Sequence, residues 1–542
     1  MKAFGGMFAI ALLVSVGHAQ DQDPRSATTL FKEGPLCKFE GAVKLLEETL
    51  RVSDDMTRVA VVVKKRDKHY VGVNGKLGRP YPEIFVPKNI SPRETIRFSP
   101  DWTRIGYAAR VDKGFVINVD DKESELFEMV LEGMPLFSPD SRHFGFAGIR
   151  KGKIHVVVDT NVSKPLDDLQ VGSVAWSPDG ANMAYCARDG NKWFVYCGKN
   201  QYDAQQGVSD NGLKFSPDSA HVAYAATIKG KWYMMMDGKA VVVAGDGRPV
   251  AYDAIAMNMP VWSEDSKRLA FAAQRSGSWF IVVDGKEIGP FNAVAEGTPV
   301  FSKNAKEIAY AVLRGKTWTV YRHEKATDKG VKELAAGDAV LAGTPVFSEN
   351  GATLVYAVNQ GGAWKVYPNA VAQAPVPPGQ TPPAFPVYAA IKEGTLRVTP
   401  DGGKVVFVAR KGDRWVVVLN GKELPNLYED IGSVRVSRGE GSSTVAISAK
   451  RRGAWVVVVN GDELYRWYYE FLQEALVVSR DGKRVSYYAR GGKTWSMWLD
   501  GIPQPCNIPY SYRFNPDTGL IEGVTWDKKA GPIFNSIRES PR

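Results

Sequence analysis

The chain has 542 residues, of which 44% are hydrophobic and 24% are charged, and its formal net charge is +10. This composition is typical of globular proteins and excludes a disordered chain, and the length suffices for two to four ordinary domains. Four cysteines are too few for a small scaffold built on disulfides. No run of about 18 apolar residues occurs, so the sequence predicts no membrane span.

The N-terminus has the pattern of a cleavable signal peptide. Lys2 precedes an apolar run from Phe8 to Val14, and Ala19 is the last residue of a small-x-small motif, which is typical of a signal-peptide cleavage site. The sequence therefore predicts a signal peptide over residues 1–19 and an exported protein, either periplasmic or extracellular.

A four-residue signature recurs about twelve times in the remaining chain. Its fullest forms are FSPD and WSPD, and weaker forms include WSED, VTPD, VSRD and FNPD. Its second residue stands at Ser53, Ser99, Ser138, Ser177, Ser216, Ser263, Ser302, Ser348, Thr399, Ser437, Ser479 and Asn515. The spacing is 36 to 51 residues, most often 39, which is the length of one propeller blade.

Each repeat unit has the pattern of four strands. An apolar stretch ends in the signature, two further apolar runs follow, and the fourth run varies. An aromatic residue lies 16 positions after the signature Ser or Thr in most units, as Trp193 and Trp415 do. The SPD triplet and the later DG or NG pairs favour turns, because Pro presets φ and Asp bonds its own backbone. The pattern predicts an all-β fold of about twelve four-stranded repeats.

These units resemble the WD40-like (PD40-type) repeats of the TolB propeller family, whose copies also carry an SPDG turn, an apolar and aromatic strand and a later DG. The resemblance covers about residues 40–530. It implies a β-propeller that binds a partner and needs no cofactor. It leaves the role open, because propellers serve many unrelated functions.

Twelve units exceed the four to eight blades of an ordinary propeller. We expect two six-bladed rings, formed by residues 20–295 and 296–542, with one large ring as the alternative. The proline-rich segment 368–386 is predicted to be a stiff surface loop rather than a linker. Unit twelve stops early, and a strand from the Lys38–Phe39–Glu40 segment would complete it, which favours a single ring or two rings whose chain returns to the first.

The four cysteines allow two disulfides in an exported protein. Cys186 and Cys197 flank one predicted hairpin, and completing unit twelve with the N-terminal segment would bring Cys37 toward Cys506. The alternative is that all four are buried thiols.

The loops between the second and third strands are basic and carry 26 of the 69 Lys and Arg residues. Alternating strand direction places them on one face of the molecule. The residues predicted to bind there are Lys64, Lys65, Arg66, Arg150, Lys151, Lys153, Lys229, Lys231, Arg314, Lys316, Lys411, Arg414, Lys450, Arg451, Arg452, Arg490 and Lys493. We expect this face to attract an acidic glycan, an anionic cell surface or an acidic protein. The alternative is that these residues only keep the turns solvated.

No catalytic or metal-binding motif occurs. The sequence has no G-x-S-x-G elbow, and the histidines after the signal peptide are not spaced as metal ligands. Nucleic acid is an unsuitable partner for an exported protein without a nucleic-acid signature. The sequence predicts a non-enzymatic binding or assembly module for a protein or anionic ligand. The alternatives are a hydrolase or lyase with a site in the central channel, and a structural component of an envelope or extracellular assembly.

Overall fold

A computed structural model describes residues 31–54, 56–89, 91–131, 133–209, 212–243, 248–323, 332–370, 385–439, 443–492, 495–504, 509–514, 520–527 and 533–539. The predicted signal peptide, most of the proline-rich segment, Lys493 and Cys506 lie outside these residues. Within them the chain forms 53 strands, two short 3-10 turns at Pro92–Thr95 and Gln473–Ala475, and no α-helix.

The strands form antiparallel sheets, and each repeat unit of the sequence corresponds to one sheet of about four strands. We call these sheets blades 1 to 12. Blades 4 and 5 are also joined by a single parallel bridge from Gln205 to Thr227. The prediction of an all-β fold of about twelve four-stranded repeats is therefore confirmed.

The strand bounds follow the units in chain order. Blades 1 to 3 comprise β2 Lys44–Val52, β3 Val59–Lys65, β4 Lys68–Val73 and β5 Lys76–Leu77; β6 Glu83–Ile84, β7 Ile96–Phe98, β8 Ile105–Val111, β9 Gly114–Val119 and β10 Lys122–Glu123; and β11 Met129–Val130, β12 Leu136–Phe137, β13 Phe144–Arg150, β14 Lys153–Val158 and β15 Asn161–Val162. Blades 4 to 6 comprise β16 Asp168–Trp176, β17 Met183–Asp189, β18 Lys192–Cys197 and β19 Asn200–Gln205; β20 Lys214–Phe215, β21 Val222–Ile228, β22 Lys231–Met236 and β23 Lys239–Ala240; and β24 Ala254–Ile255, β25 Val261–Trp262, β26 Leu269–Arg275, β27 Ser278–Val283 and β28 Lys286–Phe291.

Blades 7 to 9 comprise β29 Ala293–Val294, β30 Val300–Phe301, β31 Ile308–Arg314, β32 Thr317–His323 and β33 Lys332–Gly337; β34 Ala339–Val340, β35 Val346–Phe347, β36 Thr353–Gln360 and β37 Ala363–Ala370; and β38 Arg397–Val398, β39 Val405–Lys411, β40 Arg414–Leu419 and β41 Lys422–Tyr428. Blades 10 to 12 comprise β42 Asp430–Val436, β43 Val445–Arg451, β44 Ala454–Val459 and β45 Asp462–Tyr468; β46 Glu470–Phe471, β47 Val477–Val478, β48 Val485–Arg490, β49 Trp495–Leu499 and β50 Ile502–Gln504; and β51 Pro509–Phe514, β52 Ile521–Asp527, β53 Ile533–Glu539 and β1 Phe31–Lys38.

Blade 12 combines strands from the two ends of the described chain. Strand β1 pairs antiparallel with β53, and Lys38 lies opposite Ile533. The sequence placed the completing strand at Lys38–Phe39–Glu40, whereas the structure places it at Phe31–Lys38. Phe39 instead packs edge-on against Phe534, with ring centroids 6.3 Å apart.

The hydrophobic core lies between neighbouring blades. Ala272 of blade 6 and Tyr310 of blade 7 belong to one buried cluster. A comparable cluster joins each of the remaining consecutive pairs from blades 1 and 2 to blades 10 and 11. Blade 12 shares clusters with both blade 11 and blade 1. Blades 6 and 7, between which the two-ring prediction places its boundary, are packed like the others. This continuity favours the alternative of one large ring, and the number of rings stays a prediction.

The signature forms the turn between the first and second strands of a blade. In blade 4, the Ser177 hydroxyl donates to Asp179 Oδ1 at 2.6 Å and accepts from the Asn182 N–H at 2.9 Å. The Asp179 N–H donates to Ser219 Oγ of blade 5 at 2.9 Å, and blades 2 and 5 make the same contact with their next blades. The signature is therefore a turn that also joins neighbouring blades.

The two cysteines of blade 4 are not directly opposite each other. Cys186 faces Val195 and Cys197 faces Ala184, so they are diagonal neighbours, about 7–8 Å apart in such a ladder. Disulfide Cα atoms usually lie within about 6.8 Å. Both are free thiols, so the predicted Cys186–Cys197 disulfide is not formed, and burial raises the pKa of Cys186 to about 12. Cys37 is also free, and its predicted partner lies outside the described residues.

Candidate interaction face

The basic loops are tight hairpin turns at one end of the blades. Arg150 lies opposite Lys153 in the backbone ladder that flanks the turn of blade 3, and Arg451 lies opposite Ala454 in blade 10. The connections between blades reach the same end, because the Tyr469 N–H donates to the Arg490 carbonyl at 2.8 Å. We call this end, with its turns and connections, the basic loop face.

The predicted binding residues on this face differ in exposure. The exposed ones are Lys64, Arg66, Lys151, Lys153, Lys229, Lys231, Arg314, Lys316, Lys411 and Arg452. The half-buried ones are Lys65, Arg150, Arg414, Lys450, Arg451 and Arg490, and Lys493 lies outside the described residues. Their role in binding stays a prediction.

Acidic residues of the blade connections lie among these turns. Asp167 accepts from the Gly190 N–H of blade 4 at 2.7 Å and also pairs with Lys153 of blade 3. Asp253 in the same way accepts from the Ser276 N–H of blade 6 at 2.7 Å and pairs with Lys231 of blade 5. Each carboxylate therefore holds the turn of its own blade and the basic side chain of the blade before it.

Further carboxylates pair with basic side chains of the turns. These pairs are Arg150 with Glu125, Lys411 with Glu423, Arg451 with Glu463, Arg490 with Glu470 and Arg275 with Glu287. The loop sequences alone do not show these partners. The positive field of the face is therefore weaker than the loop sequences indicate. The sequence does carry a signal for these partners. An aspartate follows a large apolar residue in the connection between blades, as in Leu166–Asp167 and Tyr252–Asp253.

Blade 1 differs from this arrangement. Within the residues that the structure describes, no ion pair joins Lys64, Lys65 or Arg66 to a carboxylate. Lys64 and Arg66 are exposed, and Lys44 lies opposite Lys64 on the neighbouring strand. Positive charge therefore remains concentrated at this turn.

An exposed apolar segment joins blades 10 and 11. Trp467 is 43% exposed, Tyr469 is 69% exposed and Leu472 is 48% exposed. Tyr468 and Phe471, which lie between them in sequence, are buried. The segment therefore uses two side chains for the core and presents three to solvent.

The turn of blade 10 lies beside this segment. Arg451 has its guanidinium 5.5 Å from the ring centre of Trp467 and its Nη1 3.1 Å from Glu463 Oε1. Arg451 thus supports the Trp467 ring, while its neighbour Arg452 is exposed. We call Trp467, Tyr469 and Leu472, together with Lys450 and Arg452, the aromatic–basic patch.

The described residues contain no group of three or more His, Cys, Asp or Glu side chains that could hold a metal ion. None of the helical segments found among them is long and apolar enough to cross a bilayer.

The twelve packed four-stranded sheets define a β-propeller repeat protein. No protein-family model and no curated protein matches the chain. Among solved structures it is similar to TolB from Acinetobacter baumannii, with 13% identity, a TM-score of 0.24, and coverage of 58% of this chain and 75% of that one.

Two other solved structures are similar at the same level. The Dos1 propeller shows 12% identity, a TM-score of 0.27, and coverage of 60% and 89% of the two chains. A protein from Bacteroides ovatus described as a dipeptidyl aminopeptidase IV shows 13% identity, a TM-score of 0.30, and coverage of 64% and 63%. None of the three assigns a function to this chain.

Proposed function

We propose that this protein is an exported, non-enzymatic binding module that recognises a protein partner through its basic loop face. The observation that carries the proposal is the aromatic–basic patch, where Trp467, Tyr469 and Leu472 are exposed together on one connection. Export rests on the signal-peptide pattern of residues 1–19.

The composition of the patch favours a protein partner. Residues that dominate protein–protein binding energy are mostly Trp, Tyr and Arg, and clustered exposed apolar side chains mark interaction sites. Arg451 is already held by Glu463, so its contribution is to fix Trp467 before binding, which lowers the entropy lost on association.

The charge of the patch favours an acidic segment on the partner. Arg452 is exposed at the turn, and Lys450 is half-buried beside it. Because many basic side chains of the face are paired with carboxylates, the attraction for anions is confined to turns with exposed basic residues outside the described ion pairs, such as Arg452 here and Lys64 and Arg66 of blade 1. An acidic peptide with an aromatic or aliphatic side chain complements both parts of the patch.

The experiment places a photo-crosslinking phenylalanine analogue at position 469 and identifies the exported protein that it captures. That protein is then purified and titrated against the wild type, Trp467→Ala, Arg452→Glu and the matched control Met257→Ala, whose residue is 72% exposed on blade 6.

We expect Trp467→Ala to weaken binding by about thirtyfold, as a hot-spot residue does, and Met257→Ala to leave it unchanged. Equal affinity of all four proteins would contradict the proposal. Retention on a sulfated polymer that Arg452→Glu abolishes, without any protein bound at the patch, would assign the face to an anionic glycan instead.

A further inference from the structure

A cavity of about 500 Å3 lies between blades 2 and 3. The β9–β10 turn of blade 2 and the β14–β15 turn of blade 3 border it. These turns lie at the opposite end of the blades from the basic loop face. Its apolar wall includes Ile117, Val119, Phe127, Phe146 and Val157, none of which is more than 4% exposed. Phe127 and Phe146 meet edge to face, with ring centroids 5.4 Å apart. The wall is therefore fixed by core packing.

The equivalent positions of different blades can be matched through a repeated hydrogen bond. In blades 2, 6 and 10, a tyrosine hydroxyl in the connection that leads into the blade donates to a glutamate of the blade's last strand, which is β10, β28 or β45. The pairs are Tyr81 with Glu123 at 2.8 Å, Tyr252 with Glu287 at 2.9 Å and Tyr428 with Glu463 at 2.8 Å. The residues that follow these glutamates are therefore structurally equivalent.

Blade 2 has a small residue where blades 6 and 10 have a large one. Ile288 and Leu464 follow the glutamates of blades 6 and 10, and each packs into the cluster shared with the next blade. In blade 2 the residue is Ser124, which lines the cavity. Leu126, two positions further, is 42% exposed and does not fill the space. Neither residue fills the space between blades 2 and 3 as Ile288 and Leu464 fill theirs.

Ser124 is held in place by the backbone. Its hydroxyl accepts from the Ile117 N–H at 3.0 Å and donates to the Glu125 carbonyl at 2.8 Å. Ser163 makes the same two contacts in blade 3, with the Val156 N–H and the Lys164 carbonyl. Ser163 does not line the cavity, so the two serines form a matched pair for experiment.

Most charges at the rim are paired with neighbours, whereas Lys122, which also borders the cavity, is exposed to solvent and makes no ion pair with a described carboxylate. Arg104 Nε lies 2.8 Å from Asp120 Oδ2, and His143 Nδ1 lies 2.7 Å from Asp159 Oδ2. A charged ligand would lose its hydration against the apolar wall, and a contact with the solvent-exposed Lys122 would offset little of that cost. The rim therefore favours a neutral ligand.

We propose that this cavity is a second binding site, which takes a small, uncharged, apolar molecule of aromatic or branched aliphatic type. Its volume lies within the range of about 300–1,000 Å3 found for small-molecule sites. The site shares no residue with the aromatic–basic patch, so it stands independently of the proposed protein-binding function.

The test measures binding of 2-naphthol by ligand-observed NMR and calorimetry. Naphthalene-2-sulfonate and 1-naphthylmethylamine have a similar apolar body with a negative and a positive charge. The variants are Ser124→Leu, which fills the cavity, Thr160→Trp, which covers its rim, and Ser163→Leu as the matched control. Circular dichroism verifies that each variant is folded.

We expect saturable binding of 2-naphthol to the wild type, a loss of at least about tenfold in Ser124→Leu and Thr160→Trp, and no change in Ser163→Leu. Absence of saturable binding to the folded wild type would overturn the proposal. So would equal losses in Ser124→Leu and Ser163→Leu, or tighter binding of either charged analogue.

Discussion

At one end of the blades the signature turn repeats the same hydrogen bonds, whereas at the opposite end the basic turns differ in their partners from blade to blade. Ser177 and Ser216 both donate to the aspartate two positions later, at 2.6 Å. On the basic loop face, Lys153 pairs with the next blade while Lys64 has no described ion pair. The comparison indicates that the recurring residues build the fold and that departures from the repeat mark binding sites.

Removing a signature serine tests the structural side of this comparison most strongly. Ser216 is fully buried, and its hydroxyl accepts from the His221 N–H at 3.0 Å. Ser216→Ala leaves that N–H without its acceptor, and we expect the free energy of unfolding to fall by about 2 kcal/mol.

The control for this prediction is Lys229→Ala, an exposed residue on the basic loop face of the same blade. We expect it to change the free energy of unfolding by less than about 0.5 kcal/mol. Denaturant melts of both variants measure the difference, and equal effects would remove the distinction between the two ends.

Acid is expected to weaken the signature turns. The Ser99 hydroxyl, which hydrogen-bonds Asp101, lowers the pKa of that carboxyl to about 2, against 3.8 for an unperturbed aspartate. The aspartates of blades 3, 4 and 5 shift in the same direction for the same reason. Since the folded pKa is the lower one, the stabilisation is complete above about pH 4 and is lost as the pH falls toward 2.

Melting temperatures measured between pH 2 and 6 check this prediction, and Asp101→Asn is expected to show a smaller loss below about pH 4. A flat profile over this range, or an unchanged slope in Asp101→Asn, would show that the turn aspartates do not couple folding to pH.

The ion pair of Arg451 and Glu463 tests the basic loop face itself. Both side chains are less than a fifth exposed, with Nη1 and Oε1 3.1 Å apart. A double-mutant cycle with Arg451→Ala and Glu463→Ala is expected to give a coupling of about 0.5–1 kcal/mol that falls with salt. A coupling near zero would show that Glu463 does not hold Arg451 in place beside Trp467.

The smallest expected effect concerns the thiols. Cys186 and Cys197 are free, so adding a reductant should leave the melting temperature unchanged. Burial raises the pKa of Cys197 to about 11, and alkylation of the folded protein at neutral pH should be slow. A reductant-dependent melting temperature that disappears in Cys197→Ala would restore the predicted disulfide.

Much of the fold could be predicted because its determinants are local. The signature turn and the hairpins depend on residues a few positions apart, as in Ser177 and Asp179, and they recur in nearly every unit. The carboxylates opposite the basic turns come from connections more than ten residues away, as with Asp167 and Lys153, so counting loop charges missed them.

Neither candidate site follows from the recurring residues of the repeat. Ser124 becomes informative only after the glutamates of blades 2, 6 and 10 have been matched through their tyrosine partners. Trp467 and Tyr469 lie in the most variable part of a unit, where sequence alone does not separate exposed from buried aromatic residues. Their alternation with buried Tyr468 became visible only in the structure.

The pairing of β1 with β53 sets an order of events during synthesis. About 500 residues separate these strands, so at about 5–20 residues per second a ribosome needs on the order of a minute to deliver the second after the first. Until then β1 lacks its native neighbour, and unpaired strands invite association with other chains. Blade 12 therefore cannot be completed before the C-terminal strand has been made, and the early strand stays open to association with other chains throughout that interval.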